Sequence, residues 1–152
     1  AIVPRHPQRG AEVAALCGGP RRSLGALPGA GDAYVADTIG ELGLFFRLAG
    51  VAFIGGSLVA HGGQNPLEAA RLGCPALMGP HRFNFAAMAA ALEEAGALRT
   101  VAELAALAAA VRDVLTVPDT AATMRRAAAG FARAAEDLPA RLADRLLGLM
   151  QG

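Results

Sequence analysis

An α/β fold, with a parallel sheet covered by helices on both faces, is predicted by three observations. Short apolar, β-prone runs alternate with helical stretches along the chain, which is the pattern of βαβ units. Glycine and proline sit at the ends of those runs, where turns are needed. Hydrophobic residues make up 54% of the 152 residues, enough for an ordinary apolar core without disulfides or metals. Right-handed crossovers between parallel strands then distribute helices over both faces.

The elements follow in order. Residues 1–3 read as the end of a buried strand stopped by Pro4, and a short helix follows from about Gln8 to Cys17. Residues 18–33 are rich in Gly, Pro and Arg and read as a loop. Tyr34-Val35-Ala36 is the next strand candidate, followed by the apolar run Leu42 to Leu48. Val51 to Ile54 is again short and β-prone, and the loop from Gly55 to Gln64 leads into a helix that starts at Asn65 and ends near Gly73. Pro75 to Met78 is a further strand, and Asn84 to Ala95 a helix stopped by Gly96. From Val101 onward the chain is alanine-rich, with helices expected over about 101–115, 119–135 and 139–150, separated by Pro118 and Pro139.

Composition excludes several functions. Charged residues are 18% and the net charge is +1, so the basic stripe that a nucleic-acid protein needs is missing. Aromatics at 5%, with no Trp, give no stacking platform for single strands. All 14 basic residues are Arg, which rules out lysine Schiff-base chemistry and a P-loop. Cys17 and Cys74 form no C-x-x-C pair and read as buried thiols of a reducing compartment. No apolar stretch reaches the ~20 residues of a spanning helix, and no basic segment precedes an apolar run in the manner of a signal peptide. The opening Ala-Ile-Val-Pro reads as a start just inside a strand of a longer protein.

Two helix starts share one grammar. Thr38-x-x-Glu41 and Asn65-Pro66-x-Glu68 both fit a capping box, in which each Glu accepts from the backbone N–H of its cap residue. Around the second start, Gly55-Gly56 and Gly62-Gly63 bracket a strand-to-helix loop. Such pairs either serve tight turns or expose backbone N–H groups for an anion such as phosphate. The N-terminus of the following helix favours the same charge. A carboxylate at Glu68 only accepts hydrogen bonds, which suits the hydroxyls of a ribose next to that phosphate. Phosphate on the glycine loop and a diol on Glu68 together spell a nucleotide. Arg5, at the end of the first strand, is either a solvated side chain or a fork for phosphate or carboxylate. His6, His61, His81 and the two cysteines lack metal-ligand spacing. Ser57 lies in no G-x-S-x-G elbow, and no G-x-G-x-x-G is present.

Five segments in fixed order carry a resemblance. They are Pro4 to Arg9, Asp37 to Phe46, Val51 to Leu58, Gly62 to Glu68 and Gly79 to Phe85. Together they resemble the C-terminal half of the 3-deoxy-D-manno-octulosonic acid (Kdo) transferases, most closely from Asp37 to Phe85 and least over the alanine-rich tail. The resemblance implies a Rossmann-like domain, one half of a GT-B fold, that binds the donor CMP-Kdo over residues 1–152. The lipid A precursor, the catalytic carboxylate and any membrane contact would belong to an acceptor domain outside this sequence, so no catalytic residue is expected here. It implies Arg5, Gly55, Gly56 and Ser57 near the phosphate or sugar acid, Ile39, Gly40 and Leu42 around the cytosine, and Asn65 and Glu68 near phosphate and ribose. His6, Glu41, Gly62 and Gly63 join them in the implied donor-binding set.

The resemblance further implies inverting transfer without metal or cofactor, at the cytoplasmic face of a bacterial inner membrane. The chain alone is then expected to be inactive. Ala60 and Ala69 stand where that family commonly has Pro, and Arg82 where it has Thr. The glycine-rich 18–33 segment replaces a more regular one. Other readings of the same features are a GT-B half using a UDP-sugar, an epimerase-like relative, a non-catalytic nucleotide-binding module, and a fragment that folds but binds nothing.

Overall fold

Apolar side chains at alternate positions of three short runs build the sheet of the larger part of the molecule. The computed structural model describes residues 1–31 and 33–136, together with 143, 146, 147 and 149. Two compact units make up the chain, Ala1–Phe45 and Phe46–Gly152.

In the second unit, β1 (Ala52–Ile54), β2 (Ala76–Met78) and β3 (Leu98–Thr100) pair in parallel in that order. Ala52 lies opposite Ala76, and Ala76 opposite Leu98. Successive side chains point to opposite faces of a strand, so two cores form. Ala52, Ile54, Ala76, Met78 and Leu98 pack against α3 (Leu67–Arg71), α4 (Ala86–Glu94) and α6 (Pro118–Glu136) through Ala69, Ala70, Ala89, Leu92 and Ala128. Phe53 and Leu77 pack on the other face with Val101 and with α5 (Leu104–Thr116) through Ala106, Leu107 and Ala110. Both faces are therefore covered, as a parallel sheet requires. This is the predicted α/β class with a Rossmann-like layering.

The first unit is built around Tyr34, Val35 and Ala36, all buried. Val35 bridges in parallel to Ile2 on one side and to Arg21 on the other. Each pairing is a single bridge and not a strand. Pro4 lies two residues after Ile2 and Pro20 directly before Arg21, and a proline has no N–H to extend a ladder. Between these pieces, α1 (Gly10–Cys17) ends at Gly18, whose φ of +66° closes the helix in the left-handed region. The segment 42–48 forms α2 (Leu42–Leu48).

Several boundaries move. The helix expected from Gln8 begins at Gly10, after a 3-10 turn over Pro7–Arg9. The segment 18–33 is not all loop: it supplies the Arg21 bridge and a 3-10 turn over Arg22–Leu24. A 3-10 turn over Phe83–Phe85 precedes α4. β3 was not expected. Its three residues Leu98-Arg99-Thr100 are too short and too polar to signal a strand, and Arg99 reaches sideways to pair with Asp113 at 2.6 Å. The helix expected over 139–150 falls largely outside the described residues. Cys74 is buried as expected, but Cys17 is only half-buried; both thiols are free. Burial pushes the Cys74 thiol up. Among the described residues, no helix is long and apolar enough to cross a membrane.

Candidate functional site

Parallel strands point their carboxyl ends the same way, so the loops that follow β1, β2 and β3 gather at one end of the sheet. That end is where open α/β sheets bind ligands. Here the loops are laced together. Ser57, fully buried, donates its hydroxyl to the Ile54 carbonyl at 2.6 Å and accepts from the Gly79 N–H at 2.8 Å. The Ser57 carbonyl accepts from the His81 N–H at 2.9 Å, and the Gly62 carbonyl from the Asn84 N–H at 3.2 Å. The Asn84 amide donates to the His61 carbonyl. Arg82 donates to the Thr100 hydroxyl at 2.8 Å and pairs with Glu93 at 2.6 Å, while Thr100 donates to Glu93 as well. The hydrogen bond from Thr100, with help from Arg82, holds the Glu93 carboxyl below the usual carboxylate range.

Within the loop after β1, the Gly63 N–H bonds the Gly56 carbonyl at 2.9 Å. Gly62 and Gly63 have φ of +94° and +75°, and a Cβ on either would lie 2.3 Å from the Asn84 side chain or the Met78 methyl. Only glycine fits both constraints there. Gly56 is also left-handed, but Gly55 is not, and a Cβ on Gly55 would meet nothing within 4 Å. Among the described residues, the N–H groups of Gly55, Gly56 and Gly62 make none of the hydrogen bonds that brace the loop.

The helix after this loop starts later than expected, at Leu67, and is only five residues long. Its cap position is Pro66, and the Oδ1 of Asn65, one residue earlier, accepts from the Leu67 N–H at 3.0 Å. Glu68 is exposed and makes no hydrogen bond or ion pair with any described residue. The capping-box role open to it in sequence is therefore unfilled, and its carboxylate remains free to accept from a ligand. With so short a helix, an anion would rely on loop N–H groups more than on the helix dipole.

The first unit collects the other expected residues. Arg5 and His6 are exposed just after the Ile2 bridge. Asp37 is buried; it accepts from the Ser23 N–H at 2.9 Å and the Ser23 hydroxyl at 2.7 Å, and pairs with Arg21 at 2.8 Å. Burial pushes its carboxyl up, and Ser23 with Arg21 more than reverse this, leaving it at about 2. Glu41 is gripped by Arg22 through two hydrogen bonds of 2.9 and 2.5 Å and also accepts from the Thr38 hydroxyl. Those bonds, Arg22 first, hold its carboxyl at about 2. Thr38 therefore donates to Glu41, and no capping box forms between them. Ile39 is 83% exposed and Gly40 has φ of +86°; Leu42 is 37% exposed.

The structure thus gathers Gly55, Gly56, Ser57, Gly62, Gly63, Asn65 and Glu68 at the carboxyl end of the second unit's sheet, and Ile39, Gly40 and Glu41 on one loop of the first, with Leu42 opening α2. The Ser57 hydroxyl is consumed by structure, so its reach toward a ligand is limited to its backbone. Sequence reasoning assigned no role to Gly79 or to the Arg82–Glu93–Thr100 triangle. A glycine directly after a predicted strand was the available signal for the former. A concavity of about 580 Å³ lies elsewhere, at the amino end of β3, between Gly96, Leu98, Asp119 and Met124.

No protein-family model matches the chain. It is similar to the 3-deoxy-D-manno-octulosonic acid transferase of Bordetella pertussis, at 44% identity over 91 residues, 55% of this chain and 21% of that protein. The probable mitochondrial 3-deoxy-D-manno-octulosonic acid transferase of Arabidopsis thaliana is 34% identical over 136 residues, 83% of this chain and 30% of that protein. The crystal structure of the C-terminal CMP-Kdo binding domain of WaaA from Acinetobacter baumannii matches with a TM-score of 0.77 and 32% identity, over 83% of this chain and 70% of that one. The chain spans about a fifth to a third of the length of the curated relatives it matches. By sequence and by fold, it belongs to the family of the Kdo transferases, in the part that corresponds to their C-terminal domain.

Proposed function

We propose that residues 1–152 act as the donor-binding domain of a Kdo transferase, holding CMP-Kdo while Kdo passes to a lipid A precursor. The observation that carries this reading is the loop from Gly55 to Glu68. It combines left-handed glycines and N–H groups outside the bracing network, and it leads into α3, where the Glu68 carboxylate has no partner among the described residues. Phosphate suits the N–H groups and the ribose diol suits Glu68. The similarity to a solved CMP-Kdo binding domain supports the same nucleotide.

In this reading the reaction runs with inversion and without a metal. The acceptor oxygen bonds the anomeric carbon as the bond from that carbon to the phosphate oxygen of CMP breaks. A base takes the acceptor proton, and CMP leaves as an anion. Aligned N–H groups and an Arg stabilise the departing charge, with Arg5 as the candidate in this chain. In this reading the base belongs to the acceptor-binding part. The complete enzyme works peripherally at the cytoplasmic face of the bacterial inner membrane, with the acceptor part meeting the lipid.

Calorimetric titration with CMP, CMP-Kdo, UMP and UDP tests the reading. Saturable binding of CMP and tighter binding of CMP-Kdo are expected, with UMP and UDP weaker. Equal binding of the uridine nucleotides contradicts the assignment of donor.

A further inference from the structure

Pro20 to Ser23 grips the stretch from Val35 to Glu41 at five points. The Val35 N–H bonds the Pro20 carbonyl, and the Arg22 N–H bonds the Val35 carbonyl, both at 2.9 Å. Arg21 pairs with Asp37, and Ser23 bonds Asp37 twice. Arg22 forks onto Glu41. Two adjacent arginines thus hold two carboxylates four residues apart. Between those anchors the chain arches through Ile39, 83% exposed, and Gly40, which has nothing within 4 Å of its Cβ direction and a φ of +86°. Among the described residues nothing packs on Gly40 and Ile39 is largely bare, so the arch is held at its feet.

The Glu41 carboxylate is occupied. One oxygen accepts from Arg22 Nε and the Thr38 hydroxyl, the other from Arg22 Nη2. A group engaged by three donors has little capacity left for a ligand. Its chemistry is that of an anchor.

We propose that Arg22 is a positioning residue that acts through Glu41 to hold the Ile39-Gly40 arch in the conformation that receives the nucleotide. The proposal rests on the donor-binding reading and deepens it. Glu41 becomes part of the frame, and the 18–33 segment becomes the source of the clasp. The fork geometry is specific to Arg, because a planar guanidinium meets both carboxylate oxygens at once.

The test compares the parent chain with Arg22→Gln, Glu41→Gln and the exchanged pair Arg22→Glu/Glu41→Arg. Two quantities are read: backbone 15N order parameters of Thr38 to Glu41 without ligand, and CMP affinity. In Arg22→Gln the order parameters are expected to fall from about 0.85 to below about 0.6. If the competent arch then falls to about a tenth of the population, the apparent Kd for CMP rises about tenfold. The exchanged pair is expected to recover both, because it restores the attraction and not the carboxylate's position. Unchanged order parameters in Arg22→Gln overturn the proposal. Loss of CMP binding in Glu41→Gln without loosening, and without rescue in the exchanged pair, also overturns it and makes Glu41 a ligand contact. A parent chain that binds no CMP overturns the donor-binding reading and the nucleotide clause of this proposal with it. The order parameters then decide the clasp by themselves.

Discussion

The two loops that carry the expected donor contacts are held by opposite means. In the first unit, the 37–41 loop is fixed by charged side chains reaching in from elsewhere: Arg21 to Asp37 and Arg22 to Glu41. In the second, the 55–65 loop is fixed by backbone hydrogen bonds, one buried serine hydroxyl and glycines in the left-handed region. The groups seen to brace it, backbone amides and carbonyls, the Ser57 hydroxyl and the Asn84 amide, are uncharged. One loop is therefore sensitive to pH and salt, the other to steric change. A loop braced by backbone leaves its remaining N–H groups fixed in direction, which suits an anion. A loop braced at its feet leaves an apolar tip exposed, which suits a flat base.

The largest expected effect breaks the charged side of this comparison. Asp37→Ala removes the acceptor shared by Arg21 and both Ser23 donors, and a Cβ on Gly10 would already touch that carboxylate. Removing one partner from a buried, hydrogen-bonded charge pair is expected to cost on the order of 3 kcal/mol. Urea denaturation of the variant against the parent measures it, and a loss within the ordinary surface range of about 0.5 kcal/mol would show that Asp37 is not the hub.

The next effect breaks the steric side. In Gly79→Ala the new Cβ would lie 2.1 Å from the Ser57 carbonyl oxygen, a backbone atom that cannot swing aside. Overpacking of this kind costs about 1–3 kcal/mol. The control is Gly55→Ala, which meets nothing within 4 Å and should change stability by less than about 0.5 kcal/mol. Equal losses at the two positions would remove the distinction between them.

Acid separates the loops more gently. The folded carboxyls of Asp37 and Glu41 both titrate at about 2, below their ordinary values of 3.8 and 4.5. Groups with lowered folded pKa stabilise the fold above the ordinary value and lose that contribution as pH falls through the folded one. Between pH 4.5 and 2, amide signals of residues 37–42 are expected to shift and broaden before those of 55–65. Simultaneous loss of both sets would mean that the two loops do not differ in their braces.

Much of this was legible in the sequence, for local reasons. Val51 to Ile54 and Pro75 to Met78 announce strands by apolarity and by the glycine or proline beside them, and Gly62-Gly63 announces a bend that only glycine makes. Asn65 was legible at the helix start, because its bond to the Leu67 N–H is set by neighbours in the chain. What stayed hidden depends on partners distant in sequence. Arg22 finds Glu41 across 19 residues, Gly79 finds Ser57 across 22, and Arg82 reaches Thr100 across 18. The Thr38-x-x-Glu41 pattern misled for the same reason: a distant arginine outcompetes the local N–H that a capping box requires.

Calorimetric titration of the parent chain and Glu68→Gln with CMP tests the central claim most directly. Gln keeps the size of Glu68 and remains acceptable near a helix start, so stability is expected to change by only a few tenths of a kcal/mol. A ribose partner loses charge-assisted hydrogen bonds worth about 1.5–3 kcal/mol, so CMP affinity is expected to fall roughly ten- to a hundredfold. A parent chain that binds CMP, with Glu68→Gln binding it equally well, would contradict the account.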